Sequence, residues 1–81
     1  MTHTEQLVAN YFIQQEGENI LDSIKEIDFI DSGIIDSLDL INLAVYIEET
    51  FNLKLNLVDE STFNSIRQFD SLVKLIETSK S

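Results

Sequence analysis

Apolar side chains along the 81-residue chain fall into three periodic blocks joined by irregular stretches. Leu7, Val8, Tyr11 and Phe12 are spaced i, i+1, i+4, i+5, the repeat of one helix face, and Thr2 with Glu5 offers a capping box. The pattern predicts a helix from about Thr4 to Gln15, closed by Gly17. The following segment, from Gly17 to Asp36, is too apolar for a loose linker: Ile20, Leu21, Ile24, Ile27, Phe29 and Ile30 are expected to pack partly on the core, with a helical turn near Ile20 to Lys25. A second helix begins at Asp36, whose carboxylate can accept from amides of the first turn, while Asp39 adds favourable charge there. Leu40, Ala44, Ile47 and Phe51 repeat at i, i+4, i+7, i+11 as its buried stripe. Leu38, Ile41 and Val45 form another apolar line beside it, more than one core contact needs. Leu53, Leu55 and Leu57 alternate with Lys54 and Asn56, but a lone strand has no partner, so an extended connection into a short helix around Val58 to Thr62 is expected. Ser65 and Gln68 form a possible capping box for the last helix, with Ile66, Phe69, Leu72, Val73 and Ile76 on its apolar face to about Thr78. The sum is an all-α bundle of three main helices and one short one.

Composition narrows what such a bundle can do. Hydrophobic residues make up 43% of the chain, which excludes intrinsic disorder, and the length suits a single domain over 1–81. There is no cysteine, and the one histidine, His3, lies in an N-terminal stretch expected to fray, so thiol and His-based nucleophilic chemistry have no home. An enzyme is not expected. Five basic against fifteen acidic residues give a net charge of −10, which disfavours nucleic acid and anionic lipid and favours basic protein partners. With neither a basic leader nor a long apolar run, the chain reads as a monomeric cytoplasmic protein without a membrane span. No Lys or Arg lies between Lys25 and Lys54, whereas Glu26, Asp28, Asp31, Asp36, Asp39, Glu48 and Glu49 do. These seven acids are expected to be unpaired and crowded, and Asp39, Glu48 and Glu49 to be exposed.

The sequence from Gly33 to Leu40 puts the Ser37 hydroxyl on the first turn of the second helix, where an attached anion would meet free amides and the positive end of the helix dipole. The tripeptide is not enough: Asp-Ser-Leu recurs at Asp70-Ser71-Leu72, read as lying inside the last helix, and Asp-Ser before a helix is an ordinary cap. The setting separates Ser37, since a glycine-containing apolar loop precedes it and an acidic amphipathic helix with a spare apolar line follows it. Asp28, Ser32, Gly33, Asp36 and Asp39 also fall at positions 1, 5, 6, 9 and 12 of a calcium loop, but Ile30 replaces an oxygen ligand and Asp39 is shorter than the usual glutamate, so no metal site is assigned.

From the first amphipathic helix, through Phe29, Asp36-Ser37-Leu38-Asp39 and Ile47-Glu48-Glu49-Thr50-Phe51, to the helix after Phe63-Asn64-Ser65-Ile66, the chain resembles the acyl carrier protein family. The resemblance implies a four-helix bundle of the acyl-carrier type. It implies that Ser37 carries a covalent 4′-phosphopantetheine whose thiol holds acyl or aminoacyl cargo as a thioester, and that Asp36, Leu38, Asp39, Val45, Glu48 and Glu49 contact partners. Those partners would be a phosphopantetheinyl transferase, an acyl or aminoacyl loading ligase and acyl-processing enzymes with basic docking surfaces, as in fatty-acid biosynthesis. Asn42 stands where many fatty-acid carriers have an acid. The run Asp31-Ser32-Gly33-Ile34-Ile35 stands where they have leucine and glycine, and looks more like D-alanyl or aminoacyl carriers of cell-envelope or secondary-metabolite pathways. A non-carrier acidic helical interaction module would also explain the fold and the acidity, without using Ser37.

Overall fold

The computed structural model describes residues 1–79. Helix α1 runs His3–Glu16, a 3-10 turn Glu18–Asp22, α2 Ser37–Phe51, α3 Glu60–Ile66 and α4 Phe69–Ser79. No strand occurs among the described residues, and no helix among them is long and apolar enough to cross a membrane. The fold is the expected small helical bundle.

Local chemistry sets most of the boundaries. Thr2 Oγ1 accepts from the Glu5 amide at 3.1 Å and Glu5 Oε1 accepts from the Thr2 amide at 2.8 Å, so the capping box forms and His3 opens the helix instead of preceding it in a frayed tail. Gly17 ends α1 at φ 88°, a conformation that a Cβ would strain, and donates its N–H to the Ile13 carbonyl. The next turn starts earlier than the expected Ile20 to Lys25, because the Gly17 carbonyl at once accepts from the Ile20 amide at 3.2 Å. Asp36 caps α2 as expected, its Oδ1 accepting from the Asp39 amide at 2.9 Å.

The second half of the chain departs further from expectation. Asp59 caps α3, accepting from the amide and hydroxyl of Thr62 at 3.0 and 3.1 Å, and the helix runs on to Ile66. Ser65 therefore lies within α3, with its hydroxyl donating back to the Ser61 carbonyl at 2.9 Å, and the capping box expected from Ser65 to Gln68 does not form. The chain restarts as α4 at Phe69 after a joint at Arg67 and Gln68, and the Gln68 carbonyl accepts from the Leu72 amide. Leu53, Leu55 and Leu57 are half-buried along the connection, with Lys54 and Asn56 outward, so the period of two is real although no strand forms.

The core joins α1, α4 and the long segment before α2. Val8, Phe12, Phe29, Leu43, Ile47 and Ile76 are fully buried, and the Phe12 and Phe29 rings stack with centroids 4.2 Å apart. Ile20 and Ile24 pack inward as expected, Ile27 and Ile30 are half-buried, and Leu21 is exposed. Helix α2 turns Leu43, Ala44 and Ile47 inward, leaving Leu40 and Phe51 of the expected stripe half-buried. Its orientation follows from its seat on α1, where Tyr46 Oη donates to the Leu7 carbonyl at 2.6 Å and Tyr11 Oη to the Asp39 carbonyl at 3.4 Å. Burial, with the Asp39 charge adding to it, pushes the Tyr11 phenol up, so it remains a donor at neutral pH.

Candidate functional site

Ser37 is the first residue of α2 and is exposed. Among the described residues its hydroxyl makes no hydrogen bond, and the amides of Ser37 and Leu38 have no acceptor. The Asp39 amide is taken by Asp36, and the Leu40 amide makes the first helical bond, to the Asp36 carbonyl at 2.9 Å. A free hydroxyl thus stands beside two free N–H groups at the positive end of a 15-residue helix.

The second Asp-Ser-Leu copy provides an internal comparison. Ser71 lies in the first turn of α4, not deeper inside it as the sequence suggested, so position in a helix does not separate the two serines. The hydroxyl does. Ser71 Oγ is half-buried and shared between the Ser65 carbonyl at 2.7 Å and the Gln68 carbonyl at 3.1 Å, whereas Ser37 Oγ is unengaged.

Beside Ser37 a groove of about 350 Å³ opens between the segment before α2 and α3, lined by Ile30, Gly33, Ile35, Asp36, Leu40 and Phe63 together with Ser37 itself. Its wall is mostly apolar. A separate space between Tyr11, Phe12, Gln15, Ile34, Ile35 and Asp39 is only about 10 Å³. A larger concavity, about 670 Å³ on the polar faces of α3 and α4, does not include Ser37. Leu40, Ile35 and Phe63 are groove residues that periodicity did not assign to a site. Leu40 was read as core, and Phe63 belongs to a helix whose extent was underestimated.

The remaining candidates divide. Leu38, Ile41 and Val45 form an outward line, 67%, 54% and 45% exposed, as their spacing predicted. Asp36 and Glu49 are exposed, but Asp39 and Glu48 are only half-exposed, contrary to expectation. The Asp39 amide and carbonyl face Asp36 and Tyr11, while Glu48 Oε2 accepts from the Leu55 amide at 2.9 Å and so holds the connection after α2. The sequence offered no sign of this, because the partner is a backbone group.

The acidic run is also less crowded than its sequence implied. Arg67 Nε donates to Asp28 Oδ2 at 3.0 Å and Nη2 to Asp31 Oδ1 at 2.8 Å. Asp28 Oδ1 accepts from the amides of Ile30 and Asp31, and these backbone bonds, Asp31 foremost, with Arg67 adding to them, hold its carboxyl below the usual range. The expectation of an unpaired acid fails there, because the compensating cation comes from 39 residues away. Asp28 is thereby withdrawn from the calcium-loop pattern, and no group of three or more His, Asp or Glu among the described residues is placed to hold a metal ion.

Comparison with curated proteins returns no match, and comparison with solved structures returns none. Comparison with family models matches residues 6–73 to the family described as phosphopantetheine attachment site. That family is a carrier, not a catalytic, domain, and its prosthetic group is a covalently attached 4′-phosphopantetheine. Since the match spans most of the chain, from within α1 to within α4, the chain belongs to the phosphopantetheine-bearing carrier family.

Proposed function

We propose that Ser37 carries the phosphopantetheine arm and that the protein, a single carrier domain over 1–81, presents acyl or aminoacyl thioesters to successive enzymes without doing chemistry on them. The observation that carries this reading is the contrast between the free, exposed hydroxyl of Ser37 and the engaged one of Ser71. The local residues suit the group. The unpaired amides of Ser37 and Leu38 can receive phosphodiester oxygens, and the groove offers the arm an apolar wall. When attached, the arm supplies the thiol that this cysteine-free chain lacks.

Loading takes place within a phosphopantetheinyl transferase. Ser37 Oγ attacks the phosphorus of coenzyme A that bears the pantetheine, a new P–O bond forms, and the bond from that phosphorus to the bridging oxygen of the pyrophosphate breaks, the oxygen leaving with the nucleotide. Adenosine 3′,5′-bisphosphate leaves and the hydroxyl proton passes to a base of the transferase, which also supplies Mg²⁺. A loading ligase then forms the thioester. Asp36, Leu38, Asp39, Val45 and Glu49 make up the surface that basic partners meet, with Glu48 supporting it from behind. The protein acts as a monomer in the cytoplasm, where coenzyme A and the ligase are at hand.

Within this reading the aminoacyl branch is favoured by the run Asp31-Ser32-Gly33-Ile34-Ile35 before Asp36, which resembles that of D-alanyl and aminoacyl carriers. The test is intact mass after incubation with a transferase and coenzyme A. Wild type and Ser71→Ala should each gain one phosphopantetheine unit and Ser37→Ala none. Modification persisting in Ser37→Ala would withdraw the assignment and leave the acidic interaction module as the better reading.

A further inference from the structure

The segment that leads into Ser37 is held across the groove by one residue. Arg67, the only arginine of the chain, sits at the joint between α3 and α4. Besides its contacts to Asp28 at 3.0 Å and Asp31 at 2.8 Å, its carbonyl accepts from the Phe29 amide at 2.7 Å. The Arg67 and Asp28 side chains are 29% and 23% exposed, so their pair is screened less than an ordinary surface ion pair. The carboxylate that Arg67 grips also shapes the turn, because Asp28 Oδ1 accepts from the Ile30 and Asp31 amides at 2.9 Å. From that turn the Ile35 amide returns to the Phe29 carbonyl at 2.9 Å, and Asp36 follows as the cap of α2. A run of hydrogen bonds thus joins Arg67 to Ile35, two residues before Ser37.

No other hydrogen bond or ion pair among the described residues ties 27–36 to α3 or α4. Helix α2 is seated on α1 and faces α3 across the groove. Phe29 and Ile35 are anchored in the core, Phe29 against Phe12, so what the grip of Arg67 on residues 28–31 adds is to fix the turn that sets Ile30 and Gly33 against Phe63 on the approach to the first turn of α2.

We propose that Arg67 is a positioning residue for the modification of Ser37: by locking residues 28–31 to the α3–α4 joint, it fixes the segment and groove wall from which Ser37 is presented. The inference rests on the assignment of Ser37 made above. Phosphoryl transfer needs the attacking oxygen close to the phosphorus and in line with the leaving group, so play in the segment before Ser37 lowers the rate of the chemical step. Docking uses the outward line of α2, which does not touch Arg67, so the affinity of the transferase for the carrier stays as it was. A residue that only stabilised the fold would leave both constants of the folded protein unchanged.

The experiment measures transferase kcat and KM for wild type, Arg67→Gln, Arg67→Lys and Asp31→Asn, with amide hydrogen exchange of the same proteins. Arg67→Gln should lower kcat roughly three- to tenfold with KM changed less than about twofold, and should speed exchange at residues 30–39 ahead of α1 and α4. Arg67→Lys keeps the charge but not the fork that spans two carboxylates, so it should recover part of kcat. Should Arg67→Gln fail to melt cooperatively, Asp31→Asn removes only the charge at the 2.8 Å contact and should shift kcat in the same direction by less. Folded variants with wild-type kcat, or with KM raised and kcat intact, would overturn the positioning role while leaving Ser37 in place. A wild-type protein that takes no arm, or a Ser37→Ala protein that still takes one, removes the Ser37 assignment and this inference with it.

Discussion

Glu48 and Glu49 are neighbours in sequence with different tasks. Glu48 Oε2 holds the Leu55 amide, and the Glu48 carbonyl accepts from the Leu53 amide at 3.2 Å, so this residue ties down the turn that follows the left-handed Asn52, at φ 55°. Glu49 is exposed and makes no ion pair among the described residues. Glu48→Ala should therefore cost about 0.5–1.5 kcal/mol, the net value of one hydrogen bond, whereas Glu49→Ala should stay within about 0.5 kcal/mol as a surface change does. Urea denaturation of the two proteins checks this. Association should show the reverse order: Glu49→Lys should slow the on-rate for a basic partner and flatten its salt dependence, because an exposed charge steers the encounter. Equal stability losses in the two alanine variants would mean that the Leu55 contact contributes nothing measurable. Helical spacing located both residues on α2, but it could not distinguish them, since a bond to a backbone amide seven residues on leaves no mark in periodicity.

At the level of elements, legibility followed the kind of signal. Thr2 and Asp36 were readable as caps because each precedes an unbroken apolar repeat, and both caps form. Asp59 was missed because the alternation from Leu53 to Leu57 runs up to it, and the Ser65 and Gln68 pair drew the last helix start too early, inside what is α3. On α2 the predicted stripe was rotated: Leu43 is fully buried and Leu40 is not, because the seat on α1 fixes which edge turns inward. That rotation matters at the site, since it leaves Leu40 to line the groove beside Ser37. The cap of α2 is the element-scale feature most directly linked to the site. Asp36→Ala frees the Asp39 amide and should cost about 0.5–2 kcal/mol. Because the freed amide belongs to the turn that bears Ser37, transferase modification should slow as well, while Asp59→Ala, at the start of α3, should lower stability without that loss of rate. Denaturation curves paired with modification kinetics check the contrast, and a proportionate loss of rate in both variants would detach the cap of α2 from presentation of the serine.

For the whole molecule the governing fact is a net charge of −10 on 81 residues, and its effect depends on how the acids are partnered. Among the described residues, four ion-pair contacts, at 2.8 to 3.8 Å, engage Glu5, Asp70, Asp28 and Asp31 through Lys25 and Arg67. Glu5 is held below the usual carboxylate range by its bond from the Thr2 amide, with Lys25 adding to this, and Asp28 by its own backbone bonds with Arg67 behind them. For both groups the folded state binds its proton more weakly than the unfolded chain does. The stability they contribute is thus fully present above the unfolded value, about 4, and is lost as pH falls through the lower folded one. At neutral pH the balance is different. Surface pairs such as Lys25 with Asp70 contribute only about 0–1 kcal/mol, while the excess of acids acts over the whole surface and is screened on the scale of a Debye length, about 10 Å at 0.1 M salt. Repulsion should win, so adding salt at pH 7 should raise the melting temperature even though it weakens the ion pairs, and millimolar Mg²⁺ should do so at lower ionic strength. Near pH 4 the same salt series should flatten, because protonation has already removed much of the repulsion. Further acidification should then lower the melting temperature of wild type more than that of Asp28→Asn, which has no carboxylate to protonate at that position. A melting temperature at pH 7 that stays flat or falls on adding salt would show that Arg67 and Lys25, with the spacing of the remaining acids, already compensate the excess, and the acidity of α2 would then carry no stability cost for whatever recognition it serves.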